Sequence, residues 1–476
     1  GVGIHVNEVP IQYPRLFETE YYDIQSLEVL RGPQGTLYGR NATGGTVNMS
    51  TARAEIGEFF GNLEGQYGDW DHTKAMGHVN IPIGDTFAMR FAGLYLERDG
   101  YTENLYTGND VDDRDQYSAR GSFTWLPTEN TAVELMVSYF DEDSTRSRSQ
   151  KTMCKNDPSG VLGCLPDDID FDLPNPNSQL TILLASDAVL GPLGIYPFGE
   201  NLRGENPNDL RKTISDLDPI YEADETLVTL NISHDLDNHS LHLIGGYQDT
   251  EVVSEMDYLW SVGNELELSP FLAIFAPQAT EALFSDGLIP ISATSGNGTG
   301  SIGGHVKDRL SSLEAYDNSS QTSEQYSVEF RVQSDYDGKL NWLAGFFYMD
   351  VDIVSSYEVF ANGFDYLAGI APEVLAGAPG LGWVAPHFKS DTDEYNIESS
   401  AVFGEVYYNF TDDLKVTVGL RYTEDEKTIK DRQLLLNNDA DTGLPIYQPF
   451  GADLPIDVPY RNDDNSWEEW TGRGVI

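Results

Sequence analysis

The chain has 476 residues, of which 78 are acidic and 28 are basic, so its formal net charge is −50 at pH 7. Because binding to nucleic-acid phosphates requires clustered Lys and Arg, this balance excludes a nucleic acid as a partner. Aromatic residues make up 11% of the chain, which excludes an acidic disordered protein, since such proteins are poor in aromatic residues. No stretch approaches the ~18 consecutive apolar residues of a membrane-spanning helix, but strands that cross a membrane alternate and need no such stretch.

The chain begins at Gly1 without Met or a recognisable signal peptide, so we expect a preceding segment to be missing. Residues 1–55 are rich in Gly and in short β-like pieces, and they lack regular alternation. We predict one compact domain over 1–55 and a second domain over 56–476. Glycines permit a positive φ and close backbone approach, and a proline stiffens a turn. Such glycines and a proline are clustered in one motif. Its characteristic residues are Arg31, Gly32, Pro33, Gly35, Tyr38, Gly39, Arg40, Asn41, Gly44 and Gly45.

From about residue 57, apolar and polar residues alternate in segments near the ~9–11 residues that a tilted strand needs to cross a membrane. In residues 87–95, Phe87, Phe91 and Tyr95 share one face, and Arg90 lies on the other. Residues 414–422 show the same pattern. We predict about eleven strands, with a twelfth starting at Trp467. Further alternating segments are 117–125, 133–139, 226–232, 241–247, 326–332 and 340–348.

The connections between these segments alternate between short and long. The short turns are 82–85, 127–130, 235–238, 335–338 and 411–413, and the long connections are 99–113, 143–223, 252–322, 354–397 and 429–464. This asymmetry is typical of outer-membrane barrels, with periplasmic turns and external loops. Several long connections are rare in a compact soluble domain, although a soluble sandwich stays an alternative. Aromatic residues near strand ends predict interfacial girdles: Tyr67, Trp70, Tyr95, Trp125, Tyr139, Tyr247, Trp342 and Tyr348.

Two of the long connections contain residues with a possible role. Cys154 and Cys164 are the two cysteines of the chain, and their close spacing in a turn-rich segment predicts a loop disulfide in an oxidising compartment; two unrelated reduced thiols are the alternative. The loop over residues 359–388 is apolar and lacks Lys and Arg, so it covers a ligand or packs over the barrel mouth. Candidate ligand contacts are Trp260, Phe271, Phe275, Phe364, Tyr366 and Trp383, with self-packing of the loops as the alternative.

Two other patterns carry no function. Gly298, Gly300 and Gly303 match a dinucleotide fingerprint, but they lie in a Gly/Ser-rich loop and not between a strand and a helix. The histidines His234, His239 and His242 are close in sequence, but the last two point to opposite faces of a strand. We therefore expect no cofactor, no metal site and no catalytic residues, and predict that the protein is not an enzyme.

Residues 24–51, which contain the motif above, resemble the plug signature of TonB-dependent outer-membrane receptors. Residues 1–11 are similar to the preceding plug strand, with Asn7 and Glu8 where the family commonly has Asp-Gly. The resemblance implies an all-β fold: the C-terminal part of a plug, followed by about 11–12 strands of a 22-stranded transmembrane antiparallel β-barrel. It also implies that the N-terminal half of the plug and the C-terminal half of the barrel are missing from this chain.

The same resemblance implies how the plug is held. Plug arginines meet barrel carboxylates in the family, so we expect Arg31 and Arg40 to pair with Glu329, and Glu405 to take part. The alternative is that these charges line a watery lumen.

The expected function is uptake of a scarce nutrient, most often a ferric siderophore or a similar iron complex, across the bacterial outer membrane by plug remodelling. The expected partners are outer-membrane lipid, the small-molecule ligand, and TonB through an N-terminal box that this chain lacks. Import of a carbohydrate or cobalamin is the first alternative. A passive porin or adhesin barrel and a secreted glycan enzyme are further alternatives.

Overall fold

The fold is described from a computed structural model. It covers residues 1–159 except 18, 206–260, 314–361, 388–435 except 412, and 460–476, with short pieces at 161, 164–165, 168–173, 175–176, 203–204, 262, 277–278, 286, 288–294, 304–310 and 438–439. Among these residues, no helix has the length and apolar character needed to span a bilayer.

The N-terminal unit is a small four-stranded sheet with one short helix. Its elements are β1 (Val2–Val6), β2 (Val9–Pro10), β3 (Ile24–Arg31), α1 (Gly35–Tyr38) and β4 (Gly45–Thr51). The strand order is β2-β1-β4-β3, and β1 runs parallel to β4 while the other pairs are antiparallel. Gly45 has a φ of 150°, and a Cβ there would lie 2.5 Å from the carbonyl oxygen of Leu30, so only glycine fits beside β3.

The described part of the remaining chain is almost entirely strand. The elements are β5 (Phe60–Tyr67), β6 (Thr73–Ile83), β7 (Phe87–Arg98), β8 (Thr102–Asn104), β9 (Asp110–Val111), β10 (Arg114–Thr128), β11 (Thr131–Ser144), β12 (Asn175–Pro176), β13 (Arg203–Gly204), β14 (Lys212–Thr213), β15 (Ile220–Leu236), β16 (His239–Asp257), β17 (Ile289–Thr294), β18 (Gly304–Leu310), β19 (Ala315–Ser334), β20 (Leu340–Ala361), β21 (Phe388–Thr411), β22 (Leu414–Leu435), β23 (Asn438–Asp439) and β24 (Arg461–Val475).

Twelve long strands form one antiparallel sheet, in the order β5-β6-β7-β10-β11-β15-β16-β19-β20-β21-β22-β24, and the short β23 also pairs with β22. The all-β fold class with a large antiparallel sheet is therefore confirmed. The predicted start of the last strand at Trp467 is wrong, because β24 begins at Arg461. The extra residues are polar, and the hydrogen-bonded ladder continues through them beyond the alternating apolar segment.

The same extension shortens the long connections. The predicted connections 143–223 and 252–322 become 145–219 and 258–314, since β11, β15, β16 and β19 run further than their apolar alternation. The short turns lie where they are predicted, at one common end of the sheet. The predicted change of domain between residues 55 and 56 stays a prediction, and in the structure the two sheets are separated by the segment from Thr51 to Phe60.

The two faces of the large sheet differ in character. In β7 the side chains at 88, 90, 92, 94 and 96 are buried, and they face the N-terminal unit, as the contact of Arg90 with Asp23 shows. The intervening residues point away, and Phe91 is 42% exposed. On β22, Val418 is 59% exposed on the same outer face, whereas Arg421 is buried on the inner one. The outer face therefore carries the apolar residues, and the inner face is mixed and encloses the small sheet.

An aromatic row crosses the outer face near the long-loop end. Its members lie one each on eight of the twelve long strands, with none on β15 or β21 between them, and the next outward position is an acid in each case. The Tyr95 hydroxyl, for example, donates to Glu97 at 2.8 Å. The row separates an apolar band from a charged rim, as expected of a membrane interface. Its members are Tyr95, Tyr117, Tyr139, Tyr247, Tyr326, Tyr348, Tyr422 and Trp470. Trp70 does not belong to it, because it lies in the hairpin beyond β5, under the guanidinium of Arg211.

Candidate functional site

The interface between the N-terminal unit and the inner face of the large sheet contains several buried charged side chains, among them Arg90, Arg120 and Arg421. Small residues allow the two sheets to approach each other closely. Val9 is buried against Gly246 of β16, and a Cβ at Gly246 would overlap the Val9 side chain. Polar anchors lie beside this contact: the Gln325 side chain accepts from the backbone N–H of Gln12 at 3.0 Å and donates to the carbonyl of Pro10. Apolar fit and paired backbone groups together seat β2 on β16 and β19.

Asp23 forms the most highly charged contact of the interface. Its carboxylate accepts from Nε and Nη2 of Arg90 at 3.0 and 2.5 Å, and His78 Nδ1 lies 3.3 Å away. Arg120 donates to the carbonyls of Tyr22 and Asp23 at 2.8 Å, and its guanidinium covers the Tyr22 ring. The Asp23 side chain is only 5% exposed. We call Asp23, His78, Arg90 and Arg120 the Asp23 cluster. Because paired charges in a buried site tolerate desolvation, this cluster fixes the segment that leads into β3.

Asp23 is not among the site residues predicted from the sequence. The available signal was Arg90, which the alternation of β7 places on the inner face, where an arginine requires a partner. The expected polarity of the interface is reversed here, since the carboxylate belongs to the N-terminal unit and the arginines to the sheet.

A second charged contact surrounds Arg331 of β19. Its guanidinium lies 2.6 Å from Glu329 on the same strand, and Nη2 donates to Glu8 in the turn between β1 and β2. The expected pairing of Glu329 with Arg31 or Arg40 is therefore wrong. Two positions on one strand face, i and i+2, lie close enough for Glu329 and Arg331 to meet directly.

His5 lies beside this contact, with 5% of its surface exposed and its ring edge-on to Tyr38 at 5.0 Å. Burial lowers the pKa of His5 to about 4, Glu8 acts in the opposite direction, and Arg331 adds to the lowering. The imidazole is therefore neutral at physiological pH. Burial also raises the pKa of the Tyr38 hydroxyl. The side chains of His5 and Tyr38 are therefore uncharged at physiological pH, although they lie next to the charged contact of Arg331.

The motif itself packs on the last strands of the sheet. Arg40 Nη1 lies 3.1 Å from Asp425 of β22, which replaces the expected partners Glu329 and Glu405. Glu405 lies 3.3 Å from Arg473 of β24 and accepts from the Tyr407 hydroxyl at 2.9 Å. Both predicted partners of Arg40 are wrong, because Glu329 pairs with Arg331 on its own strand and Glu405 with Arg473, two strands away on β24.

Arg31 is exposed at the end of β3, and the structure shows no carboxylate within ion-pair distance among the described residues. The predicted ion pair of Arg31 is therefore absent from this part of the structure. Gly32 and Gly39 have positive φ angles of 82° and 70°, and Asn41 has a φ of 58°. At Gly35, by contrast, φ is not positive and nothing lies within 4 Å of an added Cβ, so the structure does not require glycine there. Gly44 contacts the carbonyl of Gly1, and Pro33 is exposed in the turn.

At the long-loop end of the sheet, the described loop segments contact one another and form a layer over the N-terminal unit. β8 pairs in parallel with β14, and the Asn104 side chain donates to Asp218 at 2.9 Å. Trp260 is half-buried beside Asn104 and Asp257. Cys154 and Cys164 form a disulfide with their Cα atoms 5.7 Å apart. The other candidate ligand contacts lie outside the described residues: Phe271, Phe275, Phe364, Tyr366 and Trp383.

Of the remaining sequence patterns, only the histidines lie in the part of the chain that the structure describes. Gly298, Gly300 and Gly303 lie outside the described residues. The three histidines have separate partners: His234 contacts the Thr131 hydroxyl at 2.9 Å, His239 the Tyr336 hydroxyl at 2.8 Å, and His242 the Ser240 hydroxyl at 3.2 Å.

This arrangement, a glycine-dense unit seated on the inner face of an antiparallel sheet, agrees with the comparisons with known proteins. The model of the TonB dependent receptor-like β-barrel matches residues 166–471, and that of the TonB-dependent receptor plug domain matches residues 1–46. The chain belongs to the family of TonB-dependent receptors, and the resemblance of the motif is confirmed. We therefore call the N-terminal unit the plug and the large sheet the barrel wall.

Two groups of relatives give the closer context. The pesticin receptor of Yersinia pestis is 37% identical over 91 residues, which cover 18% of this chain and 13% of that protein. The metal-pseudopaline receptor CntO of Pseudomonas aeruginosa is 28% identical over 167 residues, covering 33% and 22%. Among solved structures, the ferric yersiniabactin uptake receptor FyuA from Yersinia pestis has a TM-score of 0.59 at 15% identity, covering 99% of this chain and 52% of that chain. The ferric-catecholate import receptor Fiu from E. coli has a TM-score of 0.56 at 12% identity, covering 99% and 60%.

These structural likenesses establish the fold. The chain spans about half the length of the solved receptors that it matches. The family is one of receptors and not of enzymes, and its members are outer-membrane proteins of Gram-negative bacteria.

Proposed function

We propose that this chain is the plug and barrel-wall part of an energised importer in the bacterial outer membrane. The observation that carries the proposal is the way the plug is held. Described contacts between plug and wall are side-chain ion pairs and hydrogen bonds around Asp23, Glu8 and Arg40, together with apolar packing such as that of Val9 on Gly246. No described strand of the plug joins the sheet of the wall. A plug held in this way rearranges without breaking the barrel sheet. That property suits transport by plug remodelling.

The partners of the proposed importer follow from the two faces of the wall. The apolar outer face, bordered by the aromatic row, fits outer-membrane lipid. TonB engages receptors of this family through a short N-terminal box, and we expect the same of the complete receptor. The ligand is held between the upper end of the plug and the external loops. There, Leu16 packs on Phe140 and Val252.

The favoured ligand is a ferric siderophore or a similar metal chelate. The support is the nature of the relatives, which are named as receptors for metal-pseudopaline, ferrioxamine, ferric yersiniabactin and ferric catecholates. A carbohydrate or cobalamin stays the alternative within the same family. A passive porin is disfavoured, because the plug is seated on the inner face of the wall.

The test is uptake of ⁵⁵Fe by iron-limited cells that express the complete receptor from its gene, with ferric siderophores, haem and ferric citrate as iron sources. Cobalamin and oligosaccharides are supplied to parallel cultures. We expect uptake from at least one iron chelate in a host with TonB and none in the same host lacking TonB. Uptake that is equal with and without TonB would contradict the energised mechanism. Uptake of only a sugar or cobalamin would move the ligand to that class.

A further inference from the structure

One sector of the barrel wall has an unusual charge distribution. The inner faces of β6, β7 and β10 carry a set of basic side chains, which we call the basic stripe: Lys74, His78, Arg90, Arg98 and Arg120. Register orders them along the strands. Asn80 pairs with Arg90, His78 and Arg120 flank Ala92, and Lys74 pairs with Leu96. From Arg90 to Arg98 the stripe rises eight residues, or about 26 Å at ~3.3 Å per residue.

No inner-face position of β6, β7 or β10 carries an acid over the described lengths of these strands. Arg114 of β10 also lies on this inner face, but Glu142 of the neighbouring β11 neutralises it at 2.8 Å, and in another sector Glu329 neutralises Arg331 at 2.6 Å. The chain has only 28 basic residues against 78 acidic ones. General composition therefore does not explain a row of basic residues without an acid on the same face of the same strands.

The counter-charges of the stripe come from the plug. Asp23 binds Arg90 and lies beside His78 and Arg120, and Glu20 lies 2.7 Å from Lys74 Nζ. Arg98, at the outer end, donates to the backbone carbonyl of Asp112 and covers the Tyr101 ring. A cavity of about 80 Å³ lies between the plug and the wall, and its lining includes Glu20, Tyr22 and Arg120. The plug segment is therefore incompletely packed against the wall beside Glu20 and Arg120.

We propose that the basic stripe binds anionic groups of the imported solute when plug residues 20–24 move away from the wall. Withdrawal of Asp23 and Glu20 would leave several cations in a half-buried wall without partners, which is unfavourable. A solute that carries carboxylate, phosphate or an anionic metal chelate replaces the plug carboxylates, and arginine binds such groups in a bidentate manner. The spacing of the stripe offers successive binding positions from the mouth to the turn end. The inference rests on the proposed function and assigns the solute a negative charge.

The decisive variant exchanges the charges of one contact without removing it. In Lys74→Glu with Glu20→Lys, the ion pair between plug and wall is kept, but the wall position becomes acidic. A matched control exchanges Arg53 and Glu134, which lie 2.7 Å apart outside the stripe, as Arg53→Glu with Glu134→Arg. Both double variants retain a plug–wall ion pair, and only the first places a negative charge in the stripe.

The readout is ⁵⁵Fe uptake by cells expressing the complete receptor, with iron supplied as anionic ferric citrate or as a neutral ferric trihydroxamate. We expect the Lys74/Glu20 exchange to lower uptake from ferric citrate at least fivefold and to change uptake from the neutral chelate less than twofold. The Arg53/Glu134 exchange should leave both rates within twofold of wild type. An unchanged rate for ferric citrate in the Lys74/Glu20 exchange would overturn the stripe. Absence of uptake from any chelate in wild type would instead overturn the proposed function.

A second measurement does not depend on the solute. The complete receptor is placed in a planar bilayer, and its plug is released with urea at a concentration that leaves the circular dichroism of the sheet unchanged. In a tenfold KCl gradient, the Lys74/Glu20 exchange should shift the reversal potential toward that of potassium relative to wild type. An identical reversal potential would show that the stripe does not line the released path, and would overturn the inference.

Discussion

Gly39 of the plug lies directly against the guanidinium of Arg421 on β22. A Cβ added at Gly39 would be 2.8 Å from Arg421 Nη2 and 3.0 Å from Cζ, and the φ of Gly39 is 70°. Arg421 is held between the rings of Phe347 and Phe403, with centroid distances of 5.4 and 5.2 Å, and its Nε donates to Thr423. Because these three side chains fix the guanidinium, it has little room to yield. The glycine of the plug motif is therefore required by a residue of the barrel wall.

Substitution of Gly39 by alanine should weaken the seating of the plug. The added methyl group meets both a strained φ and the Arg421 guanidinium, so we expect a loss of about 2–3 kcal/mol in plug stability. The measurement is urea-induced release of the plug, followed by the rate of limited proteolysis of the complete receptor in detergent. Gly35→Ala is the matched control, since a Cβ there meets nothing within 4 Å and the φ is not positive. Equal sensitivity of the two variants would contradict the role assigned to Arg421.

Asp23→Asn tests the Asp23 cluster. The substitution keeps the shape of the side chain and removes its charge, which leaves Arg90 and Arg120 as unneutralised cations in a buried site. We expect plug release at lower urea, corresponding to a loss of about 3 kcal/mol. Asp237→Asn, in an exposed turn between β15 and β16, is the control and should leave the midpoint unchanged. A midpoint for Asp23→Asn that matches wild type would show that the cluster does not anchor the plug.

His5 gives the plug a pH dependence with a defined sign. Its pKa is about 4 in the folded plug and near 6.5 when exposed, so between these values the unfolded state binds more protons. Stability contributed by neutral His5 is therefore present above pH 6.5 and is lost as the pH falls toward 4, by about 3 kcal/mol in total. The measurement is the urea midpoint of plug release at several pH values between 7 and 4. His5→Phe should have a shallower decline than wild type over this interval, and parallel curves would contradict the assignment.

Arg90 and Arg40 show which features of the interface can be predicted from the sequence. Alternation in β7 places Arg90 on the inner face correctly, because side-chain direction in a strand depends only on position. Its partner Asp23 could not be predicted, because that contact depends on which part of the plug rests on β7. Arg40 shows the same limit, since its partner Asp425 is set by the position of β22 relative to α1. Local pattern therefore predicts faces and turns, whereas partners require the packing of plug on wall.

Strand ends show a second limit. The alternation of apolar residues stops near the aromatic row, but β20 and β21 continue to 22 and 24 residues. Beyond the row the strands stay paired and carry polar side chains, such as those of Glu358 and Lys389, which form an ion pair at 2.6 Å. Hydropathy detects the part of a strand that faces lipid and not the part that rises above it. This is why the predicted external connections are too long.

The outer face of the wall provides a test of its position in a membrane. Val418 lies midway between the turn end of β22 and Tyr422 of the aromatic row, and it is 59% exposed on the outer face. Val418→Arg should destabilise the barrel in lipid by about 2–4 kcal/mol, since a charge near the bilayer midplane is costly. Ser466→Arg is the control, because Ser466 is exposed on β24 beyond the row and should cost at most about 1 kcal/mol. The measurement is the free energy of unfolding of the complete receptor in lipid vesicles by guanidinium titration. Equal costs at the two positions would place Val418 in water, and would contradict a lipid-facing surface below the aromatic row.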